Sequence, residues 1–264
     1  MMAQTDPLQD ILAHLRDSSD LRVWSVIITL MGDLTVMGAP EAKASGVSGQ
    51  ALGQILSSLG IRPEATRVAL HRLRKDGWIE STRYGRQSVY HLSQDGRAQT
   101  QAVADRVYGP ARPAPTQWHL IALAPQVNDD SSFDALMAKG FHELTPGVFL
   151  GAGAPPTLPD ALSFSDTDIA LPDWVRQHLA PQKLRDDIKL LQTAISRLSG
   201  EELTGLTTLD RNALRLVLLH EWRRIALRMP ELPVEAICPD LQVRDDVHKV
   251  LDALGPLQIE PVLA

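Results

Sequence analysis

The residues with the clearest chemical potential are long cationic side chains placed at helical spacing. Arg67, His71 and Arg74 recur at positions i, i+4 and i+7, so a helix would carry them on one side. Arg72 and Lys75 flank this row. The other side of the same helix would be an apolar stripe made by Ala65, Ala69, Leu70 and Leu73. Such a helix can pack through one face and offer hydrogen-bond donors through the other.

A second cationic group follows in the adjacent segment. Residues 78–83 and 88–92 alternate between apolar and polar side chains around a turn at 84–87, which predicts a β-hairpin. Arg83, Tyr84 and Arg86 would cluster at its tip. The helix and the hairpin therefore both present donors that can contact an anionic partner.

The distribution of charge points to the class of that partner. Between Gly60 and Tyr90 there are seven Lys or Arg against three acids, although the whole chain has a net charge of −6. A locally basic segment in an otherwise acidic protein is typical of a surface that contacts the phosphate backbone of DNA. The alternative is a solvated charged face, which fits a single helix better than a helix and hairpin together.

The elements around the cationic helix complete a pattern. Asp20 is a plausible cap for a first helix with apolar residues up to Met31, after which residues 32–47 read as a loop. Ser48 would cap a second helix, and Gly60 would end it. Pro63 then suits the first turn of the third helix. Two helices, a glycine-containing turn, a third helix and a basic hairpin follow one another as in a winged helix-turn-helix.

This pattern predicts a DNA-binding surface. A recognition helix reads base edges with its donors, and a wing contacts the backbone or the minor groove. The predicted DNA-binding residues are Thr66, Arg67, His71, Arg72, Arg74, Lys75, Arg83, Tyr84 and Arg86.

The remaining chain divides at a proline-rich segment. We expect an N-terminal arm over 1–20, the DNA-binding domain over 21–109 and a linker over 110–117. A central α/β domain would occupy 118–173, with strands at 118–123 and 148–150 and a helix at 132–139. Residues 174–264 would form a helical domain with helices at 173–198, 209–228 and 243–254. The predicted fold class is α+β.

Several short runs resemble the PaaX-like family of phenylacetate-catabolism repressors. The runs are residues 26–33, 59–61, 67–73, 75–79, 85–86, 90–92, 108–109, 118–121, 140–141, 146–148, 219–224 and 230–233. The resemblance implies a homodimeric regulator, usually a repressor, that responds to an aryl-acyl-CoA thioester such as phenylacetyl-CoA. It also implies a small ferredoxin-like central α/β domain between the winged helix and a helical C-terminal domain. The stretch 152–173 matches the family pattern only loosely.

A second polar cluster is a candidate for binding the effector. His220, Arg223 and Arg224 would share one side of a helix and could bind phosphate groups. Arg224 stands where a zinc-peptidase motif would need its second histidine. The alternative is an ion-paired structural helix or a dimer contact, in which Glu221 pairs locally.

The rest of the sequence favours a binding protein over an enzyme. No nucleophile stands beside a base, and no phosphate loop or metal-binding motif is present, so we expect no catalytic residue, no metal and no cofactor. Cys238 is the single cysteine, which suits the cytoplasm, and we expect it to be a buried thiol. No apolar run is long enough to span a membrane. The alternative function is an acyl-CoA-handling enzyme or scaffold whose winged helix mediates protein contacts.

Overall fold

A computed structural model describes most of the chain. The described residues are 22–38, 46–110, 117–124, 130–158, 160–198, 200–232, 237–238 and 243–259. The predicted arm over 1–20, and all of the predicted linker except its two end residues, lie outside them.

Three helices make up the first part of the described chain. They are α1 (Val23–Met37), α2 (Gly49–Ser58) and α3 (Pro63–Lys75). The first helix is six residues longer than predicted, since the residues after Met31 continue it until the N–H of Gly38 bonds the carbonyl of Leu34. The side chain of Ser48 caps α2 as predicted, by accepting a hydrogen bond from the N–H of Ala51.

A three-stranded antiparallel sheet stands beside these helices. Its strands are β1 (Val47–Ser48), β2 (Ile79–Tyr84) and β3 (Gln87–Leu92), in the order β1-β3-β2. The pairing of Tyr84 with Gln87 confirms the predicted hairpin. Strand β1 falls in the segment that was predicted to be a loop, because two residues give no usable periodicity. Helices α4 (Gln94–Ala102) and α5 (Ala104–Tyr108) follow.

The next part contains a four-stranded antiparallel sheet and one helix. The elements are β4 (Trp118–Leu123), α6 (Asp130–Ala138), β5 (His142–Thr145), β6 (Val148–Gly151) and β7 (Ala161–Asp166). The sheet order is β5-β6-β4-β7, and its core is built from Ile121, Leu136, Phe141 and Phe149. Two of the four strands, β5 and β7, were not predicted: β5 has only four residues, and β7 lies in the stretch 152–173, which was read as proline-rich.

The last part is helical. Its described elements are α7 (Asp173–Leu179), α8 (Gln182–Ser196), α9 (Gly200–Thr204), α10 (Thr208–Arg228) and α11 (Arg244–Leu254). The predicted helix over 173–198 is two helices, α7 and α8, separated at Ala180 and Pro181. Within the described residues, no helix combines the length and the apolar character needed to cross a membrane.

The chain divides into two compact units that differ from the predicted domains. One contains 1–110, 190–226 and 243–264, and the other contains 111–189 and 227–242. The stretch 174–264 was predicted to be one separate helical domain, and the structure distributes it over both units. The described residues form an α+β protein, and all strand pairs in both sheets are antiparallel.

Candidate nucleic-acid interface

Helix α3 is held by its apolar stripe and by well-defined ends. Ala69, Leu70 and Leu73 are buried, as the spacing predicts. Pro63 occupies the first turn, where its missing N–H costs nothing. Gly60 before the helix and Gly77 after it have positive φ angles of 75°, which side chains with a Cβ atom rarely adopt. The opposite face of α3 is therefore presented outward with little freedom to rotate.

The predicted cations all lie on that outward face. Arg67, His71, Arg72, Arg74 and Lys75 are exposed. Arg72 forms an exposed ion pair with Asp76, whose carboxylate oxygen lies 3.4 Å from Nε. Such a pair is worth little in water and is readily exchanged for a phosphate contact.

Thr66 differs from the other predicted DNA-binding residues. Its side chain belongs to the buried stripe, with only 6% of the residue exposed. Its hydroxyl donates a 3.4 Å hydrogen bond to the carbonyl oxygen of Arg62. Thr66 therefore supports the start of α3 and does not lie on its outward face.

Val68 is exposed on α3 but was not predicted as part of the surface. Val68 is 69% exposed, the largest value for an apolar side chain on this helix. Glu64, one turn earlier, is exposed as well. The prediction considered only long side chains that donate hydrogen bonds, so it did not include the apolar Val68 between Arg67 and the remaining cations.

The hairpin carries its three candidates at the tip, as predicted. Arg83 and Tyr84 end β2, Arg86 lies in the two-residue turn, and all three are exposed. Gly85 takes a positive φ of 59° at the first turn position, which a tight hairpin of this kind requires. The hairpin and α3 contact each other through β2. The predicted DNA-binding residues, apart from Thr66, are thus exposed side chains on two elements in direct contact.

The second predicted cluster has a different environment. His220 is completely buried in α10, and its Nδ1 atom lies 3.1 Å from the hydroxyl of Thr29 in α1. Burial, reinforced by the charges of Arg224 and Arg223, lowers the pKa of His220 to about 3. The imidazole is therefore neutral at pH 7 and offers no charge to a phosphate group. In this respect the structure departs from the predicted exposed, cationic patch.

The two arginines of that cluster are only partly accessible. A guanidinium nitrogen of Arg224 lies 2.9 Å from a carboxylate oxygen of Glu221, one turn earlier in α10. This is the local pairing that the alternative interpretation anticipated. Burial lowers the pKa of Arg223, and the nearby Tyr108 opposes that shift. The geometry therefore gives His220 a structural role and leaves Arg223 and Arg224 partly exposed.

A buried ion pair joins α10 to α1 close to this cluster. Nε of Arg215 lies 2.7 Å from one carboxylate oxygen of Asp33, and a terminal nitrogen lies 2.8 Å from the other. Both side chains are at least 96% buried. Arg215 also donates to the carbonyl of Leu251 in α11. Burial raises the pKa of Tyr108, and the adjacent Asp33 carboxylate adds to the effect.

Sequence reasoning did not find this pair. Asp33 ends one of the runs that resemble the PaaX-like family, but nothing in the sequence links it to a residue 182 positions later. The sequence did contain one indication of this pair: Asp33 and Arg215 are single charged residues, each in an otherwise apolar helical stretch.

Trp222 anchors the same helix to α5 and α11. Its indole N–H donates a 2.7 Å hydrogen bond to the carbonyl oxygen of Val107. The guanidinium of Arg244 lies 4.9 Å from the centre of the Trp222 ring, within range of a cation–π contact. These contacts explain why α10 and α11 fall into one unit with the N-terminal elements.

In the described part of the chain, no group of three His, Cys, Asp or Glu side chains could bind a metal ion. Cys238 is buried, as predicted, in an apolar environment.

Comparison with known proteins agrees with the resemblance found in the sequence. The class that the fold defines is an α+β protein with an exposed cationic helix and hairpin. Residues 22–96, which include α1–α3 and the hairpin, match the family model of PaaX-like proteins. The predicted PaaX-like resemblance is therefore confirmed.

Individual relatives extend the comparison beyond this region. The chain is 26% identical over 209 residues to the transcriptional repressor PaaX of Escherichia coli (strain K12). That match covers 70% of this chain and 66% of the repressor, just under two thirds of its length. Among solved structures, the uncharacterized protein Rv0674 from Mycobacterium tuberculosis aligns with a TM-score of 0.48 and 20% identity. The alignment covers 87% of this chain and 93% of that one.

Proposed function

We propose that this protein is a sequence-specific DNA-binding transcriptional repressor. The observation that carries the proposal is the set of exposed cations on α3 and at the tip of the hairpin that contacts α3. DNA-binding proteins need donors on one face of a helix for base edges and further cations for phosphates. The family match over the same residues and the similarity to a transcriptional repressor support the proposal.

The proposed layout of the first region is a winged helix-turn-helix. Helices α2 and α3 would be the helix-turn-helix pair, with α3 in the major groove, and β2 and β3 would be the wing. Strand β1 pairs with β3, so the start of α2 and the wing are joined through backbone hydrogen bonds. Such a connection favours a fixed angle between α2 and the wing.

The proposed layout of the central region is ferredoxin-like. The elements β4, α6, β5, β6 and β7 follow one another, and the strand order is β5-β6-β4-β7. A ferredoxin-like domain with two βαβ halves has this strand order and this all-antiparallel pairing. The described residues between β6 and β7 contain no second helix, so the domain would be a reduced version of that fold.

The finer functional proposal comes from the resemblance to the family. The protein would act in the cytoplasm as a homodimer on an operon for the breakdown of an aromatic acid such as phenylacetate. An aryl-acyl-CoA thioester would release it from DNA. Arg223 and Arg224 are the candidate phosphate contacts, and the buried, neutral His220 is the weakest of the three predicted residues.

DNA binding is tested with the DNA upstream of the protein's own gene. We expect fluorescence anisotropy to show salt-dependent binding that exceeds binding to scrambled DNA of equal length by at least about 1,000-fold. The double variant Arg67→Ala/Arg74→Ala should lose most of this affinity. Arg197→Ala removes an exposed arginine of the helical part and is the matched control. Equal binding by all three proteins, or no binding at all, would favour the scaffold alternative.

Dimerisation is tested by light scattering. A single recognition helix covers only a few base pairs, so two half-sites about 34 Å apart, or a multiple of that distance, usually supply the affinity. We expect a dimeric mass at micromolar concentration, through residues beyond 110. A monomeric mass would contradict this part of the proposal.

The effector is tested by calorimetry with phenylacetyl-CoA. Release requires a ligand that prefers the DNA-free form, and a hundredfold preference corresponds to about 2.7 kcal/mol. By reciprocity, operator DNA should weaken thioester binding by the same factor. Unchanged thioester affinity in Arg223→Ala/Arg224→Ala would assign these residues a structural role. Absence of binding would point to a different effector.

A further inference from the structure

An exposed apolar side chain stands at the centre of the cationic face of α3. Val68 is 69% exposed, and no other large apolar residue on this helix is comparably accessible. Valine is a poorer helix former than alanine, lysine or glutamate by a fraction of a kcal/mol, so it does not stabilise an exposed helical position. The stability of the fold therefore does not explain Val68.

We propose that Val68 determines specificity by contacting the C5-methyl group of a thymine in the major groove of the operator. The inference rests on the proposed DNA-binding function and identifies one base that the helix reads. Thymine is the only standard base that presents a methyl group in the major groove, and an apolar side chain is the contact that recognises it.

The position of Val68 on the helix supports a base contact. Successive residues on a helix are about 100° apart, so Glu64, Val68, His71 and Lys75 form the row directly opposite the buried stripe. Arg67 and Arg74 lie along one side of this row, and Arg72 lies along the other. The central row faces the floor of a groove when α3 enters it, and the flanking arginines face its two sides, where they can reach outer base edges or phosphates.

The chemistry of the central row fits the same orientation. A carboxylate at Glu64 would be repelled by phosphates, and the methyl groups of Val68 gain nothing from them. Both Glu64 and Val68 can make favourable contacts with base edges. Carboxylates accept hydrogen bonds from the amino group of cytosine, and apolar groups pack on thymine methyl groups. The arginines at the sides can form charge-assisted hydrogen bonds with phosphate oxygens.

A protein partner fits the environment of Val68 less well. Stable protein interfaces bury about 800 Å² on each side and have an apolar centre depleted of charge. Val68 is a single apolar side chain between Arg67 and Arg72. An apolar side chain between two cations suits DNA, which is an anionic polymer that can present one methyl group to Val68.

The experiment uses operators in which each thymine is replaced in turn by deoxyuridine, which removes only the methyl group. The operator is first located by footprinting within the upstream DNA. For the parent protein, we expect one thymine per half-site whose replacement weakens binding about fourfold, the effect of losing one buried methyl group. Val68→Ala changes both subunits of the dimer, so it should bind the unmodified operator about 16-fold more weakly, the product of two such losses. It should also be insensitive to deoxyuridine at that same position. Leu162→Ala, which shortens an exposed apolar side chain of β7, should behave like the parent.

The outcomes separate this inference from the proposed function. If Val68→Ala retains the same sensitivity at every thymine, or binds the unmodified operator like the parent, the methyl contact is excluded and the DNA-binding function stands. If the parent does not bind the upstream DNA specifically, the proposed function itself fails. A thermal melt of Val68→Ala close to that of the parent establishes that a loss of affinity does not come from unfolding.

Discussion

The outward face of α3 and the cluster on α10 have similar side chains and opposite environments. Both contain His and Arg at helical spacing, at 67, 71 and 74 in one and at 220, 223 and 224 in the other. On α3 these side chains are exposed, and the residues opposite them are buried. On α10 the histidine is buried, the two arginines are partly covered, and Arg224 is paired with Glu221.

The difference shows that the neighbours of a cationic cluster decide its role. Helix α3 has a sharp boundary between its apolar and polar sides. Helix α10 is buried on nearly all sides from Asn212 to Trp222, so its charged residues must find partners inside the protein. Asp33, Thr29 and Glu221 supply such partners. The first cluster is therefore exposed, whereas the second is largely enclosed by the protein.

The largest expected effect comes from breaking the buried ion pair. Arg215→Met would leave the Asp33 carboxylate buried without its cation, and such a change costs about 3–5 kcal/mol of folding free energy. Chemical denaturation monitored by circular dichroism measures the loss. The double variant Asp33→Leu/Arg215→Met removes both charges and should recover most of the stability. A double variant no more stable than Arg215→Met would show that the pair does not act as a unit.

The second effect concerns the pH dependence of stability. His220 is neutral in the folded protein because burial lowers its pKa to about 3. The unfolded chain takes up the proton near pH 6.5, so the folded state loses stability as the pH falls below that value. At about 1.4 kcal/mol per pH unit, the contribution of His220 to this loss of stability is roughly 2 kcal/mol between pH 7 and pH 5. Denaturation of His220→Gln at pH 7 and at pH 5 should show a correspondingly smaller decrease in the free energy of unfolding. A decrease equal to that of the parent would contradict a buried, neutral His220.

On the exposed face the expected effects appear in DNA binding and leave stability unchanged. Arg67→Ala should weaken operator binding by about 1–3 kcal/mol if Arg67 makes a bidentate base contact, and it should relax sequence preference at that position. Competition with operators altered at single base pairs measures both effects. A uniform loss on all sequences would instead assign Arg67 to the phosphate backbone.

The smallest expected effect lies at the hairpin tip. Arg86→Ala should weaken binding to all DNA sequences alike. It should also lower the log–log salt dependence by about 0.9 for each lost phosphate contact, or about 1.8 for a dimer that loses one in each subunit. Affinity measured at four or five salt concentrations gives this slope. If the slope is unchanged, the hairpin does not contact the backbone through Arg86.

The sequence by itself determined the elements whose signals are local. The Ser48 cap, Pro63 at the start of α3, the stripe of Ala69, Leu70 and Leu73, and the hairpin turn were all predicted correctly, because each depends on residues a few positions apart. The same locality made the cationic face of α3 recognisable. The PaaX-like resemblance came from short runs of the same kind.

Only the tertiary structure decided the features that depend on distant residues. Strand β7 is defined by its pairing with β4, and its alternating apolar residues, Leu162 and Phe164, are exposed and follow a proline-rich stretch. The partners of Arg215 and His220 lie in α1, more than 180 positions away, so their burial could not be deduced from spacing. The exposure of Val68 and the burial of Thr66 likewise depend on how α3 is rotated against its neighbours, which is set by packing.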